Sequence, residues 1–499
     1  MKTRRFSLVL GAVMAFLVLV LSACGGATPA PATPVPVEPT ATAAPQEPTP
    51  VPATPTEELP IPTVVQMPEQ IAGGRPVEIV VAGAPPDSQP ELRAAWDEQA
   101  ARFMALYPNV KIVASDYRYD PDSFAALVAA NQVPTLFQVY MTDPGKMVEQ
   151  GVAADLTDYF KATGLDKLFN ASVLNIVTVN GKVYGIPMKA YAMGLAYNKN
   201  MLAAAGFDHP PRDWNELASM AQALTNRDTG VAGFTFIFGD PKAAGWHTTI
   251  IAYDFGLKNT DIVYEENGKY KAGFDNEAMR NALQMIYDLR WKYDVLPLEA
   301  NDWAKNGEAL ATGHAAMALM ASDQFIWIRQ TFADVDMSQF AFAPLPAGPS
   351  GKSVSLVGGD VAMISASATP DQVEAAFYFR VWTQLDPHEI MARYEAGKKD
   401  PTTVVGGPSV PLYTDPYQST YAALEEQYSN LPVEYSLFQQ SVVSGQTVFM
   451  IEPQIAGQDY YGILGPVVNT IVTDKNADVA RLLTEAQNTF QTNVLDLLK

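Results

Sequence analysis

The chain has 499 residues and a single cysteine, Cys24, which stands ahead of everything that reads as foldable. The remainder must therefore fold without a disulfide or a thiolate-bound metal. His209, His247, His314 and His388 are scattered with no ligand-like spacing, so no metal and no cofactor is expected. The fold has to rest on buried apolar surface. From Val77 the composition is that of a folded protein, and the roughly 420 residues that follow exceed what one hydrophobic core supports. Two domains are expected.

The N-terminus predicts where the chain works. Lys2, Arg4 and Arg5 precede an apolar run from Phe6 to Leu21, and Leu21-Ser22-Ala23-Cys24 follows. This is the pattern of a secretory signal peptide over residues 1–23, with an apolar stretch short for a spanning helix. An unpaired cysteine at the cleavage point resembles the bacterial lipobox. That resemblance implies a lipid-modified Cys24 and a protein anchored on the extracytoplasmic face of a membrane. Residues 24–74 read as a tether. Of the 38 prolines in the chain, 13 fall between residues 25 and 70, among Thr and Ala, a composition that cannot bury a core. It favours extended polyproline II.

Formal charge is −21, and loss of Lys2, Arg4 and Arg5 with the leader takes it to −24. Nucleic acid and anionic membrane surfaces are poor partners for such a body. No Gly-x-Ser-x-Gly elbow, His-Glu-x-x-His helix or Walker-type loop occurs; Gly406-Gly407-Pro408 lacks the lysine. A glycosidase would need two facing carboxyls, and with 54 acidic residues some pair qualifies by chance. An enzyme is not expected.

Val77-Glu78-Ile79-Val80-Val81 reads as a strand, residues 90–107 as a helix with Leu92, Trp96, Ala100, Phe103 and Met104 on one face, and Val110–Val113 as a second strand. A third strand is expected over residues 135–140. These are βαβ units of a layered α/β domain, whose ligands sit at the carboxyl ends of strands. Asp87 and Gln89 in the first loop, Asp116 after the second strand, and Tyr140 and Asp143 after the third are the polar contributors this predicts.

Further along come Ala154-Asp155-Leu156-Thr157-Asp158-Tyr159, Asn180-Gly181-Lys182-Val183-Tyr184-Gly185-Ile186-Pro187, and Leu195-Ala196-Tyr197-Asn198-Lys199. Pro211-Arg212-Asp213-Trp214, Gly313-His314-Ala315-Ala316-Met317, Pro344-Leu345-Pro346 and Val357-Gly358-Gly359-Asp360 complete the set. Their order and spacing resemble the sugar-type extracellular solute-binding proteins that feed ABC importers, the relatives of maltose-binding protein, across nearly all of 77–499. Locally, Asn180-Gly181 is a hairpin turn and Asp213 a helix cap.

The resemblance implies a periplasmic-binding-protein-like type II α/β fold of two lobes, 77–187 plus 359–410 and 188–358 plus 411–499. The chain would cross between them near Gly185, near Gly358 and Gly359, and near Gly406 and Gly407, where glycines suit hinges. It also implies a monomeric receptor that closes on a small solute and docks on the permease subunits of a transporter. A mono- or oligosaccharide is favoured, because sugar C–H faces stack on aromatic rings while hydroxyls need polar partners; a polyamine is the alternative.

Trp96, Trp214, Trp291 and Trp382 lie at core-facing helical positions. Trp246, beside a helix start, and Trp303 are candidates for the cleft, each against a packing role. Trp327 is displaced from the Gly-x-Trp position of relatives, which makes Asp323 and Gln324 polar candidates. Lys189, Tyr191 and Asp360 at the crossings, and Tyr460 and Tyr461 in the last third, complete the expected site.

Overall fold

Apolar runs that alternate in the first third of the chain become strands because one face of each can be buried. In β1 (Val77–Val81), Val77, Ile79 and Val81 turn inward, while outward Glu78 meets Lys111 of β2 (Val110–Ala114) at 2.8 Å. The computed structural model describes residues 60–400 and 403–498. Cys24, the leader and the tether as far as residue 59 lie outside the described residues.

Seven further strands complete one mixed sheet: β3 (Leu136–Tyr140), β4 (Ile186–Asn198), β5 (Ala232–Thr235), β6 (Ala315–Ala321), β7 (Phe340–Ala343), β8 (Ser353–Ile364) and β9 (Thr447–Ile451). Their order is β2-β1-β3-β8-β4-β6-β5, with β7 also beside β4 and β9 also beside β8. β4, of 13 residues, and β8, of 12, are the longest. The first half of β4 pairs antiparallel with β8, from Ile186 opposite Ala362 to Ala192 opposite Val357. Its second half pairs with β6 and β7 instead. β8 likewise meets β9 with its first half and β3 with its second. The register slips between Asp360, opposite Lys189, and Val361, opposite Pro187, which leaves Met188 as the extra residue of a bulge.

This strand pair joins two hydrophobic cores. One gathers Ile79, Phe103, Phe137, Phe377 and Trp382, the other Phe234, Ile250, Leu283, Met317 and Phe490. Burying each phenylalanine stabilises by about 2 kcal/mol. Local signals act as expected: Asp213 caps Trp214–Leu224 by accepting from Asn215 and Glu216 at 2.9 Å, and Asn180 and Gly181 turn at φ 52° and 75° between Thr178–Val179 and Lys182–Val183. Among the described residues no helix is long and apolar enough to cross a membrane.

Two expected boundaries differ. Ile61, Val65, Ile71 and Ala72 are buried in the first core, and Tyr107 Oη donates to the Pro68 carbonyl at 2.7 Å, so residues 60–74 pack on the fold rather than forming tether. Tyr413, Tyr417 and Leu424 also join the first core, although residues from 411 onward were expected in the second lobe. Helix Tyr417–Tyr428 packs beside helix Pro387–Lys399, where Tyr421 and Tyr428 stand 6.5 and 5.4 Å from the buried Tyr394 ring.

The crossing glycines have distinct roles. A methyl group at Gly358 would stand 2.6 Å from the Tyr191 ring, and one at Gly359 would overlap the Lys189 carbonyl. At Gly185 it would overlap the Val361 side chain. Gly358 and Gly359 permit close approach inside paired strands, and Gly185 does so just ahead of β4. Gly406 and Gly407, at φ 85° and 120°, adopt backbone that other residues avoid.

Candidate functional site

Tyr140 ends β3 on an outward position, and its ring stands T-shaped to Tyr119 at 5.2 Å. It is 36% exposed, into a cavity of about 430 Å3 between the two cores. From the same side, Asp120 accepts from the Ser123 amide at 2.9 Å and caps helix Pro121–Ala129. Asp240 repeats this in the other lobe: it accepts from the Ala243 amide at 2.9 Å and caps helix Pro241–Asp254. Two Asp-Pro helix starts thus face one cavity, each carboxylate engaged by its own helix.

The second of these helices carries Trp246 to the cavity wall. It crosses helix Gly457–Thr473 tightly, because a methyl at Gly245 would overlap the Tyr461 carbonyl and one at Gly465 the Pro241 carbonyl. That approach places Tyr461 on the wall as well. Tyr191 of β4 meets Trp246 edge to face at 6.2 Å. The Trp246 indole Nε1 is buried without a hydrogen-bond partner. Next to it, His247 is buried and accepts from the Ile237 amide at 3.1 Å; burial pushes it down to about 3, so it is neutral.

Trp303 opens helix Trp303–Ala311 beneath its Asp302 cap and is 36% exposed on the cavity. Its ring stacks edge-on against Trp327 at 5.1 Å, and its carbonyl accepts from Gln324 Nε2 at 2.6 Å. Asp323, past the end of β6, lines the cavity and is ion-paired with Lys189. Glu452, past the end of β9, is buried and accepts from Tyr461 Oη at 3.3 Å. Burial, with Asp143 and Asp360 nearby, pushes its carboxyl up to about 8. Gln458 Nε2 donates across the cleft to Thr142 Oγ1 at 3.1 Å.

Of the residues expected from sequence, the cavity gathers Tyr140, Tyr191, Trp246, Trp303, Asp323 and Tyr461. The others stand elsewhere. Asp87, Gln89 and Asp116 are exposed outside it, with Asp87 3.4 Å from Arg93. Asp143 is buried, pushed up to about 6 by burial, and accepts from Tyr119 Oη at 3.1 Å. Gln324 and Trp327 support Trp303 from behind. Lys189 acts through Asp323, and Asp360 is half-buried in β8 opposite Tyr140. Tyr460 is fully buried against Phe274, with its hydroxyl on Thr249.

Sequence reasoning missed Asp120, Asp240, Lys242, Glu452 and Gln458. The Asp-Pro pairs at 120–121 and 240–241 were a usable signal for helix starts at strand ends. Glu452 was signalled only as the lone acid after an apolar strand.

Residues 86–379 match the family of bacterial extracellular solute-binding proteins. A Brucella abortus chain named only as a binding protein is 37% identical over 81 residues, 15% of this chain and 18% of that one. A maltooligosaccharide ABC transporter solute-binding lipoprotein of Streptococcus pneumoniae is 25% identical over 195 residues, 39% of this chain and 43% of its own. The chain thus spans less than half the length of these relatives. Maltose-bound MalE3 of T. maritima superposes with TM-score 0.65 at 20% identity, over 84% of this chain and 100% of the other, a likeness of fold. That fold is the two-lobed α/β architecture expected from the ordered motifs.

Proposed function

Because the chain belongs to the bacterial extracellular solute-binding protein family, we propose that it is the extracytoplasmic receptor of an ABC importer and captures a mono- or oligosaccharide by closing its lobes. The observation that carries this reading is the cavity wall. Tyr140, Tyr191, Trp246, Trp303 and Tyr461 supply ring faces and edges from both sides, and Asp120, Asp323, Glu452 and Gln458 stand among them as hydrogen-bonding groups. Stacking faces interleaved with fixed polar atoms suit a sugar, and a cavity of about 430 Å3 lies within the usual range for small ligands. The sugar-binding function of the pneumococcal relative agrees with it.

Lobe movement would turn on the shared β4–β8 pair near its bulge and on Gly406 and Gly407, and a solute touching both lobes would favour the closed state. The closed monomer would then be read by the permease subunits, with lipid on Cys24 holding the receptor at the membrane.

A polyamine is the second reading, supported by the carboxylates of Asp120, Asp240 and Asp323 lining the cavity, with Lys242 the cation among its lining residues. Calorimetric titration of the lipid-free chain with mono-, di- and oligosaccharides, spermidine and putrescine separates the two. Saturable binding of one saccharide at unit stoichiometry supports the first reading. Binding of a polyamine alone overturns the sugar assignment while keeping the receptor.

A further inference from the structure

A separate cavity of about 360 Å3 shares no lining residue with the aromatic cleft. Helix Pro370–Leu385 contributes Arg380, helix Pro387–Lys399 contributes Arg393, helix Tyr417–Tyr428 contributes Glu425, and Met188–Ala190 of β4 closes one side.

The two arginines have only neutral partners. Arg380 donates from Nη1 to Thr383 Oγ1 at 3.3 Å and from Nη2 to Gln384 Oε1 at 2.6 Å. Its Nε is buried with no partner at all. Arg393 donates from Nη2 to Tyr421 Oη at 3.1 Å. Among the described residues no carboxylate reaches either guanidinium within ion-pair distance, although the chain has 54 acids against 33 Lys and Arg. Glu425 and, from β8, Asp360 act on them only from further away. The contrast is local. Arg102, one helix over, takes Glu389 in a two-pronged pair at 2.8 and 2.7 Å.

A buried guanidinium N–H without an acceptor is expensive, more so than an unpartnered neutral polar group, because it carries charge. Its planar fork matches the oxygens of a carboxylate or a phosphate. Burial raises the pKa of the Glu425 carboxyl, while the Arg393 charge acts to lower it. We infer that this cavity is a second binding site, for a small oxyanion held between Arg380 and Arg393. The site is independent of the solute assigned to the cleft.

The test is calorimetry and thermal unfolding of the full chain with inorganic phosphate and with succinate, against chloride at matched ionic strength. Saturable binding of either probe at millimolar concentration is expected, with phosphate or succinate alone identifying the oxyanion. Arg393→Gln, at an exposed position, should fold normally and weaken binding about tenfold or more; Arg380→Gln should do the same. NMR of the Arg380 Nε–H should show a shift on adding the probe. Absence of saturable binding, or affinity unchanged in Arg393→Gln, overturns the site.

Discussion

Lys242 Nζ lies 2.8 Å from Asp122 Oδ2, and the pair joins the second helix of the cleft to the first across the mouth of the cavity. With Gln458 on Thr142 it is a direct link between the lobes beside the site. The lysine is 33% exposed and the aspartate 83%, so the pair is worth at most about 1 kcal/mol. Lys242→Ala should leave the melting temperature nearly unchanged and weaken solute binding by less than about fivefold, an effect that fades in high salt. Asp122→Asn should match it, and the double variant should be no worse than either single one. Titration at two salt concentrations measures all three. Additive losses would show that the residues act separately.

Trp246 combines a ring on the cavity wall with a buried indole N–H that has no partner. A solute oxygen would satisfy that donor. Trp246→Ala should weaken saccharide binding about tenfold or more, whereas Trp246→Phe should keep the ring and recover only part of the loss. Dissociation constants for the two variants decide it. Full affinity in the phenylalanine variant would mean the N–H is not used.

What the sequence made legible was local or ordered. Asp213 announced its helix, Asn180-Gly181 its hairpin, and the run of motifs the two-lobed fold. Individual site residues were legible only where the segment and the facing agreed. Tyr460 and Tyr461 are neighbours on one helix, about 100° apart around its axis. Tyr461 reaches Glu452 and the cavity, while Tyr460 points back to Phe274. Asp116 and Asp120 share a loop and are both exposed, yet only the one that caps the helix lines the cavity. Gln324 and Trp327 flank Asp323, and a helical turn sends them behind Trp303. No motif encodes the burial of Glu452, because the residues that exclude water from it come from distant parts of the chain.

Gly358 touches the site through Tyr191, whose ring would stand 2.6 Å from an added methyl. Gly358→Ala should destabilise the fold by about 1–3 kcal/mol through overpacking. It should also weaken solute binding, because the displaced ring is part of the cavity wall. Combining it with Tyr191→Ala should restore most of the stability and none of the affinity. Urea unfolding alongside titration separates the two effects, and a variant that binds normally would show that the wall tolerates the shift.

Glu452 gives the fold a pH dependence with a definite sign. Its carboxyl rises from 4.5 to about 8 on folding, chiefly through burial. A raised carboxyl contributes stability that is fully present below pH 4.5 and is lost as pH climbs to about 8, on the order of a few kcal/mol. Asp143, raised to about 6 by burial, acts in the lower part of that window. His247 runs the other way: pushed down from 6.5 to about 3 by burial, it is destabilising only as pH falls below 6.5. Between pH 6.5 and 8 the decline therefore belongs mainly to Glu452, with Asp360 raised in the same cluster. Glu452→Gln keeps an acceptor for Tyr461 and has no proton to lose. Its unfolding free energy, followed by urea titration, should stay nearly level across that interval while the parent chain declines. Parallel curves would mean that Glu452 stays ionised in the folded protein and that water reaches it in the cleft.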